Sequence, residues 1–346
     1  MRQYLKEDWK KFVINSIFLI LTAVALYFAF RSFDIQEVTQ AFRHVSQGHF
    51  VMGCGIGIGY ICLEGLMIWL LKKQIEESGT LSGCLRYSFI GFFFSGITPS
   101  STGGQPMQLL WMTREGSTTG GATVVLLIIA VLYRSSSVVW GVFCALGQKT
   151  LLMDISWQIQ GLLWLGVLLN ILFVALVLAA ILRPGWILSV AEVLGKVIFC
   201  RQEEKQGAWQ KKVTDFIEQY KTAGSYIKQQ KKTIFLCFLL TLLQRLLQFM
   251  VLGLLILPDL SPTVRAKFIF AKAYIVMSVE MLPLPGAQGI TELTSLQILQ
   301  GVCAGYGIQS GSVLERLVSF YIPLFVSGSL VCYTYEKMRI KAGEKR

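Results

Sequence analysis

Six stretches of the chain, residues 12–30, 50–71, 123–146, 160–182, 233–257 and 313–333, are each apolar over close to the roughly 20 residues that carry a helix across a bilayer core. In lipid such a stretch satisfies its backbone hydrogen bonds only by coiling into a helix. The charge content agrees: 15% of the 346 residues are charged and 54% are hydrophobic, whereas soluble domains carry about a quarter charged residues. An all-α polytopic membrane protein with six spans is therefore expected. The first run follows a basic tail, but it is longer than a signal-peptide core and no small-residue cleavage site follows it, so it reads as a retained helix.

A net charge of +12 would suit nucleic acid, yet its placement along the chain points to a membrane instead. With the N-terminus in the cytoplasm, Arg2, Lys6, Lys10, Lys11, Lys72, Lys73, Arg86, the basic stretch 183–232 and the tail 337–346 all fall inside, leaving chiefly Arg31, Arg43 and Lys149 outside. This orientation places both termini in the cytoplasm at the cell membrane, and implies no direct nucleic-acid partner. The stretch 183–232 is the only sizeable soluble part of a single membrane domain covering 1–346. Apolar residues recur there at helical spacing (Trp186, Val190, Val193, Val197; Trp209, Val213, Phe216, Tyr220), which fits amphipathic helices lying on inner-leaflet lipid or on the protein's own cytoplasmic face.

Two segments do not read as ordinary spans. Residues 81–116 are apolar up to the interruption Thr98-Pro99-Ser100-Ser101-Thr102-Gly103-Gly104-Gln105-Pro106, and residues 262–305 are broken by LPLPGAQGITE, 282–292. The piece after the first break, 107–113, is too short to cross a core about 30 Å thick at 1.5 Å per residue. Two re-entrant helical hairpins are expected, the first with its mouth on the cytoplasmic side and the second facing the opposite way. Non-helical backbone is tolerated at membrane depth only where protein buries it or where it borders a wet cavity, so the two breaks imply an internal polar site. Pro99, Pro106, Pro283, Pro285, Gly286 and Gly289 would shape the breaks, and the amides at Gly103, Gly104 and Gln105 would open a half-helix that attracts an anion such as a phosphate. Glu292, in the first turn after the second break, either compensates the local helix dipole or binds a cationic group.

Charges inside spans cost about 2.5–3.5 kcal/mol even on lenient insertion scales, and so tend to face an interior and mark function. Glu64, Arg134 and Arg245 sit within spans, Lys272 and Glu280 on the first arm of the second hairpin, and Glu315 and Arg316 at the entry to the last span. For the first three, the competing reading is a buried structural ion pair. For Lys272 and Arg316 it is snorkelling to an interface. Gly53, Gly55, Gly57 and Gly59 form two overlapping GxxxG spacings suited to close helix packing, within the chain or between copies.

Catalysis lacks its usual parts. The only two histidines, His44 and His49, lie in the first outer loop, no phosphate-binding loop GxxxxGK[ST] occurs, and Ser100 and Ser101 have no base nearby. The eight cysteines are scattered through apolar runs without CxxC pairs, which suits packing better than metal binding. No metal or cofactor is expected.

The motifs TPSSTGGQP, VLYRSSS around Arg134, LPLPGAQGITE and LERLVSFYIP resemble, in order and over nearly the whole chain, the lysylphosphatidylglycerol synthase transmembrane-domain family, the membrane half of the multiple peptide resistance factor. One position departs: Ala287 follows Gly286 where that family often has a second glycine. The resemblance implies translocation of aminoacylated phosphatidylglycerol toward the outer leaflet, the lysyl transfer itself being done by a soluble C-terminal domain that this sequence, ending at Arg346, does not contain. The expected function is flippase-like movement of a phospholipid. Its phosphate would meet Gly103–Gln105 with Arg134 or Arg245, and its amine Glu64, Glu280 or Glu292. The alternative is a membrane component that serves a separately encoded lysyltransferase as partner.

Overall fold

The computed structural model describes residues 45–75, 79–98, 102–151, 156–182, 229–256, 262–280 and 308–343, together with positions 39, 42, 189, 207, 209–211, 213–215, 218, 225, 226 and 298. In these residues the chain is helical throughout, with no strand. Eight helices and one continuation follow in order: α1 Gln47–Gln74, α2 Leu81–Ile97, α3 Gly104–Arg114, α4 Thr119–Leu151, α5 Trp157–Leu182, α6 Lys231–Ile256, α7 Pro262–Val279 and α8 Ile308–Arg316, which runs through a π-helical turn, Leu317–Tyr321, into α9 Ile322–Gly343.

Five helices are long and apolar enough to cross a membrane: Gln47–Gln74, Thr119–Gly147, Trp157–Val177, Lys231–Val251 and Ser312–Glu336. They coincide with five of the six expected spans. The sixth, at 12–30, lies outside the described residues, as do the second break at 282–292 and most of the insert 183–232. Of the insert, Tyr226 is buried and donates its hydroxyl to the Leu71 carbonyl at 3.2 Å, so at this point it packs on the protein itself.

Local chemistry sets the helix ends. The Ser46, Thr80 and Thr118 hydroxyls accept from the amides of His49, Gly83 and Gly121, each satisfying one otherwise unpaired donor of a first turn. After α3 the chain reverses at Gly116, whose φ of +102° suits only glycine without strain.

Three apolar cores hold the bundle. The largest joins the C-terminal half of α1 with α2, α3 and the first half of α4, around Met67, Ile90, Phe94, Met112 and Ile128. A second joins the far half of α4 with α5, α6 and α7 around Leu163, Phe249, Phe268 and Tyr274. A third, of Val251, Leu255, Leu314 and Val318, ties α6 to α8 beside the start of α1. Cys84, Cys144 and Cys237 are buried within the first two.

The glycine spacings divide by face. Gly53 and Gly57 point at Leu255 and Val318, and a Cβ on Gly57 would strike the Val318 carbonyl; Gly55 and Gly59 have nothing near them. So one GxxxG pair is internal packing. The carbonyl that Gly57 meets belongs to the π-helical turn, where the Ile322 amide reaches back to Leu317. Pro323 follows directly. Its ring would clash with the carbonyl four residues back in a regular helix, and the wider turn relieves that conflict.

Lys272 does not snorkel: its Nζ lies 2.7 Å from Glu315 Oε2, both side chains largely buried, so α7 and α8 are joined by an ion pair.

Gly57→Ala should lower the stability of the detergent-solubilised protein by about 1–3 kcal/mol, the usual cost of overpacking a tight contact. Gly59→Ala, on the open face, should be nearly silent. Thermal unfolding followed by size-exclusion chromatography of the two variants checks the contrast.

Candidate functional site

The segment 81–116 folds as a helix, a break and a helix. α2 ends as the backbone becomes extended at Thr98, a conformation favoured before proline. The Thr98 hydroxyl then bridges the break, donating to the Phe94 carbonyl at 2.6 Å and accepting from the Gly103 amide at 2.9 Å. α3 starts at Gly104 and packs back on α2. Its 11 residues rise about 16 Å, too little to cross a bilayer core.

The packing of α3 on α2 depends on small residues. A Cβ at Gly104 would collide with Ser95, and one at Gly91 with the Gln108 side chain. Gly91 thus leaves room for Gln108 to run beneath α2 toward α1, where its Nε2 donates to Glu64 Oε1 at 2.6 Å. The far end of the hairpin is tied as well: Arg86 and the Tyr87 hydroxyl both donate to Glu115 Oε2, at 3.1 and 2.9 Å, and Lys72 at the end of α1 donates to Ser117 at 2.5 Å.

Near the middle of α4, α6 and the end of α7 lies a second polar centre. Arg245 Nη2 reaches Glu280 Oε1 at 2.6 Å and Oε2 at 2.8 Å, and Ser137 at 2.6 Å; Ser137 in turn donates to Glu280 at 3.1 Å. The Arg245 guanidinium stacks 3.8 Å from the centroid of Tyr133, and its side chain is 1% exposed. Arg134 contributes a weaker contact, with Nη1 3.5 Å from Glu280 Oε1, and leans toward the Tyr133 and Phe173 rings. That Nη1 makes no hydrogen bond. Tyr60 joins the two centres, its hydroxyl 3.4 Å from that of Tyr133 and its carbonyl accepting from Gln244 Nε2 at 2.8 Å.

Between the two centres is a cavity of about 650 Å³. Glu64, Gln108, Tyr60, Tyr133 and Arg134 line it, with Thr102, Gln105 and Pro106 from the first break and the apolar rings of Phe92, Phe173 and Phe320. Such a volume accommodates a small-molecule-sized group.

The residues expected from the sequence therefore separate. Glu64, Gln105, Pro106 and Arg134 border the cavity. Arg245 and Glu280 stand behind its wall, committed to each other. Gly103 and Gly104 shape the break, the Gly103 amide being taken by Thr98. Glu292, Pro283, Pro285, Gly286, Gly289 and Pro99 lie outside the described residues. Gln108, Tyr60, Tyr133 and Ser137 were not singled out, although Tyr60 is one helical turn from Glu64, and Ser137 one turn from Arg134. Polar side chains at that spacing within apolar helices were the available signal.

Compared with known proteins, a family model described as "Lysylphosphatidylglycerol synthase TM region" matches residues 13–327. No curated protein matches the chain.

Glu280→Ala should destabilise the protein by about 3–5 kcal/mol, because it strands the Arg245 charge in a dry interior. Ser137→Ala, which removes one hydrogen bond, should cost about 1 kcal/mol. Thermal midpoints in a single detergent would rank the two, and equal effects would show that the pair carries no structural weight.

Proposed function

The chain belongs to the lysylphosphatidylglycerol synthase transmembrane-region family, and we propose that it carries phospholipid headgroups between the leaflets of the cell membrane through the cavity between Glu64 and Arg134. The observation that carries this reading is a charge count. Among the described residues, Glu280 is matched by Arg245 and Glu315 by Lys272, whereas Glu64 has an amide and no cation beside it and Arg134 has only a 3.5 Å contact with the already paired Glu280. Both line the same cavity. A phospholipid headgroup bearing phosphate and ammonium supplies the complementary pair.

In this mechanism the phosphate lies against Arg134 and the start of α3, where the helix leaves first-turn amides without intrahelical acceptors and presents the positive end of its dipole. The ammonium lies against Glu64, whose position Gln108 fixes. Phe173 and Phe320 offer apolar surface to the glycerol and upper acyl segments, while the tails stay in lipid. In this reading the α2–α3 hairpin enters and leaves from the cytoplasmic side, as the half-helices of broken-helix transporters do. Arg245 and Glu280 act as scaffold: their pair orients Tyr133 and keeps Arg134 at the wall.

The test is a leaflet-asymmetry assay on reconstituted vesicles with acyl-labelled phosphatidylglycerol, phosphatidylethanolamine and lysylphosphatidylglycerol. The wild-type protein should move at least one of these. Arg134→Ala should slow every lipid about tenfold, through lost phosphate contact, whereas Glu64→Gln should slow only those carrying an amine. Both variants matching wild type would dismiss the site.

A further inference from the structure

Glu64 differs from every other membrane-interior carboxylate in the described structure in having an amide and no cation as its partner. Glu280 has Arg245, and Glu315 has Lys272. A carboxylate at membrane depth is costly to leave ionised without a compensating charge. Gln108 does not supply one. Its Nε2 donates to Oε1 whether the other carboxyl oxygen is charged or carries a proton, so the contact tolerates both states. An arginine or lysine in place of Gln108 would have fixed the ionised form.

The groups around Glu64 leave that choice open. Tyr60 lies on its own helix, one turn away; from α4 come Tyr133 and Arg134; behind them stand Arg245 of α6 and Glu280 of α7, already paired. From α2 and the π-helical turn the cavity receives only Ser95, glycines and the rings of Phe92 and Phe320. Arg134 is the one cation on the cavity wall among the described residues, and its charge is shared with Glu280 and two aromatic rings rather than with Glu64.

We propose that Glu64 is a proton-binding site at which a proton and the headgroup ammonium exclude each other, so that amine-bearing lipid moves one way in exchange for one proton moving the other. This rests on the lipid-carrying reading above. On the loading side the ammonium displaces the proton from the Glu64 carboxyl, and that proton leaves through the cavity to the water on the same side. On the unloading side a proton from water neutralises Glu64, the ammonium loses its counter-charge, and the lipid departs. The empty carrier returns with Glu64 protonated and hence without an unpaired carboxylate in the membrane. A headgroup lacking an amine cannot compete for the carboxylate and is carried without exchange.

The experiment uses the full-length protein in vesicles, with valinomycin and equal potassium on both sides to hold the membrane potential at zero, and a one-unit pH difference imposed, acid outside. The probes are acyl-labelled phosphatidylethanolamine and phosphatidylglycerol, with the outer leaflet read by an impermeant quencher and protein-free vesicles as baseline. Phosphatidylethanolamine should accumulate in the acid-side leaflet, about tenfold over its distribution without a gradient, as one-for-one exchange requires. Phosphatidylglycerol should stay unaffected. Glu64→Asp should keep the response and Glu64→Gln should lose it. Rapid movement of phosphatidylethanolamine with no response to the gradient overturns the exchange and leaves lipid carrying intact, as does an equal response from phosphatidylglycerol. If neither lipid moves under any condition, the carrying reading falls and the exchange with it. The wild-type arm decides the matter even if Glu64→Gln does not fold.

Discussion

The contact on which the rest of the membrane interior depends is that between Arg245 and Glu280. It joins the middle of α6 to the end of α7, and through Ser137 it reaches α4. Arg245 is almost wholly buried and Glu280 largely so, so their desolvation is recovered only while the geometry holds. What the pair fixes is more than three helices. Tyr133 is stacked under the Arg245 guanidinium, Tyr60 meets Tyr133, and Arg134 is drawn along the wall by the remaining field of Glu280. Two guanidiniums share one carboxylate, and Arg134 holds the surplus positive charge. It also has the greater exposure, 28% against 1% for Arg245, which places that surplus at the cavity rather than in the core.

On the opposite wall the same problem is solved without charge pairing. Glu64 is approached by Gln108, a neutral donor delivered by α3, and α3 can deliver it only because α2 ends at Ile97 and the chain restarts as a short helix at Gly104. Gly91 and Gly104 let α2 and α3 touch closely enough for Gln108 to pass. A regular helix through this segment would have put leucine-like surface where the cavity is. The break is therefore the means by which an amide donor, rather than a hydrophobic side chain, reaches the middle of α1.

Much of this was legible in the sequence, and what was not has definite causes. Apolar length located the five described spans, because a run of about 20 residues has one stable form in lipid. Proline and glycine located the first break for a similarly local reason. Charge inside spans picked out Glu64, Arg134, Arg245 and Glu280, since desolvation makes each conspicuous alone. Partnership was another matter. Arg245 and Glu280 are 35 residues apart and Lys272 and Glu315 are 43 apart, and nothing in either neighbourhood states that the two meet. Lys272 could equally have reached an interface, and only the approach of α8 decides it. Gln108 escaped notice because an amide carries no desolvation warning comparable with a charge. The face on which Gly53 and Gly57 pack, and the openness beside Gly55 and Gly59, depend on where α8 and its π-helical turn lie, which residue spacing leaves open.

The cavity's position follows from how apolar packing is shared out along α4. From Ala122 to Leu132 this helix belongs to the core built with α1, α2 and α3; by Cys144 it belongs to the core built with α5, α6 and α7. Arg134 and Ser137 occupy the stretch between, Ser137 buried against the Arg245–Glu280 pair and Arg134 at the cavity wall. A gap in that place would be filled with side chains if the segment served packing alone. Here it is bordered instead by Glu64 of α1, Gln108 of α3 and Arg134 of α4. Each wall is held by its own polar contacts, Glu64 through Gln108 and the hairpin tied at Glu115, Arg134 through the Glu280 pair. A ligand holding both charges at once would bridge α1 and α4 across the cavity, and its binding energy would favour whichever arrangement of the two helices brings both charges to it.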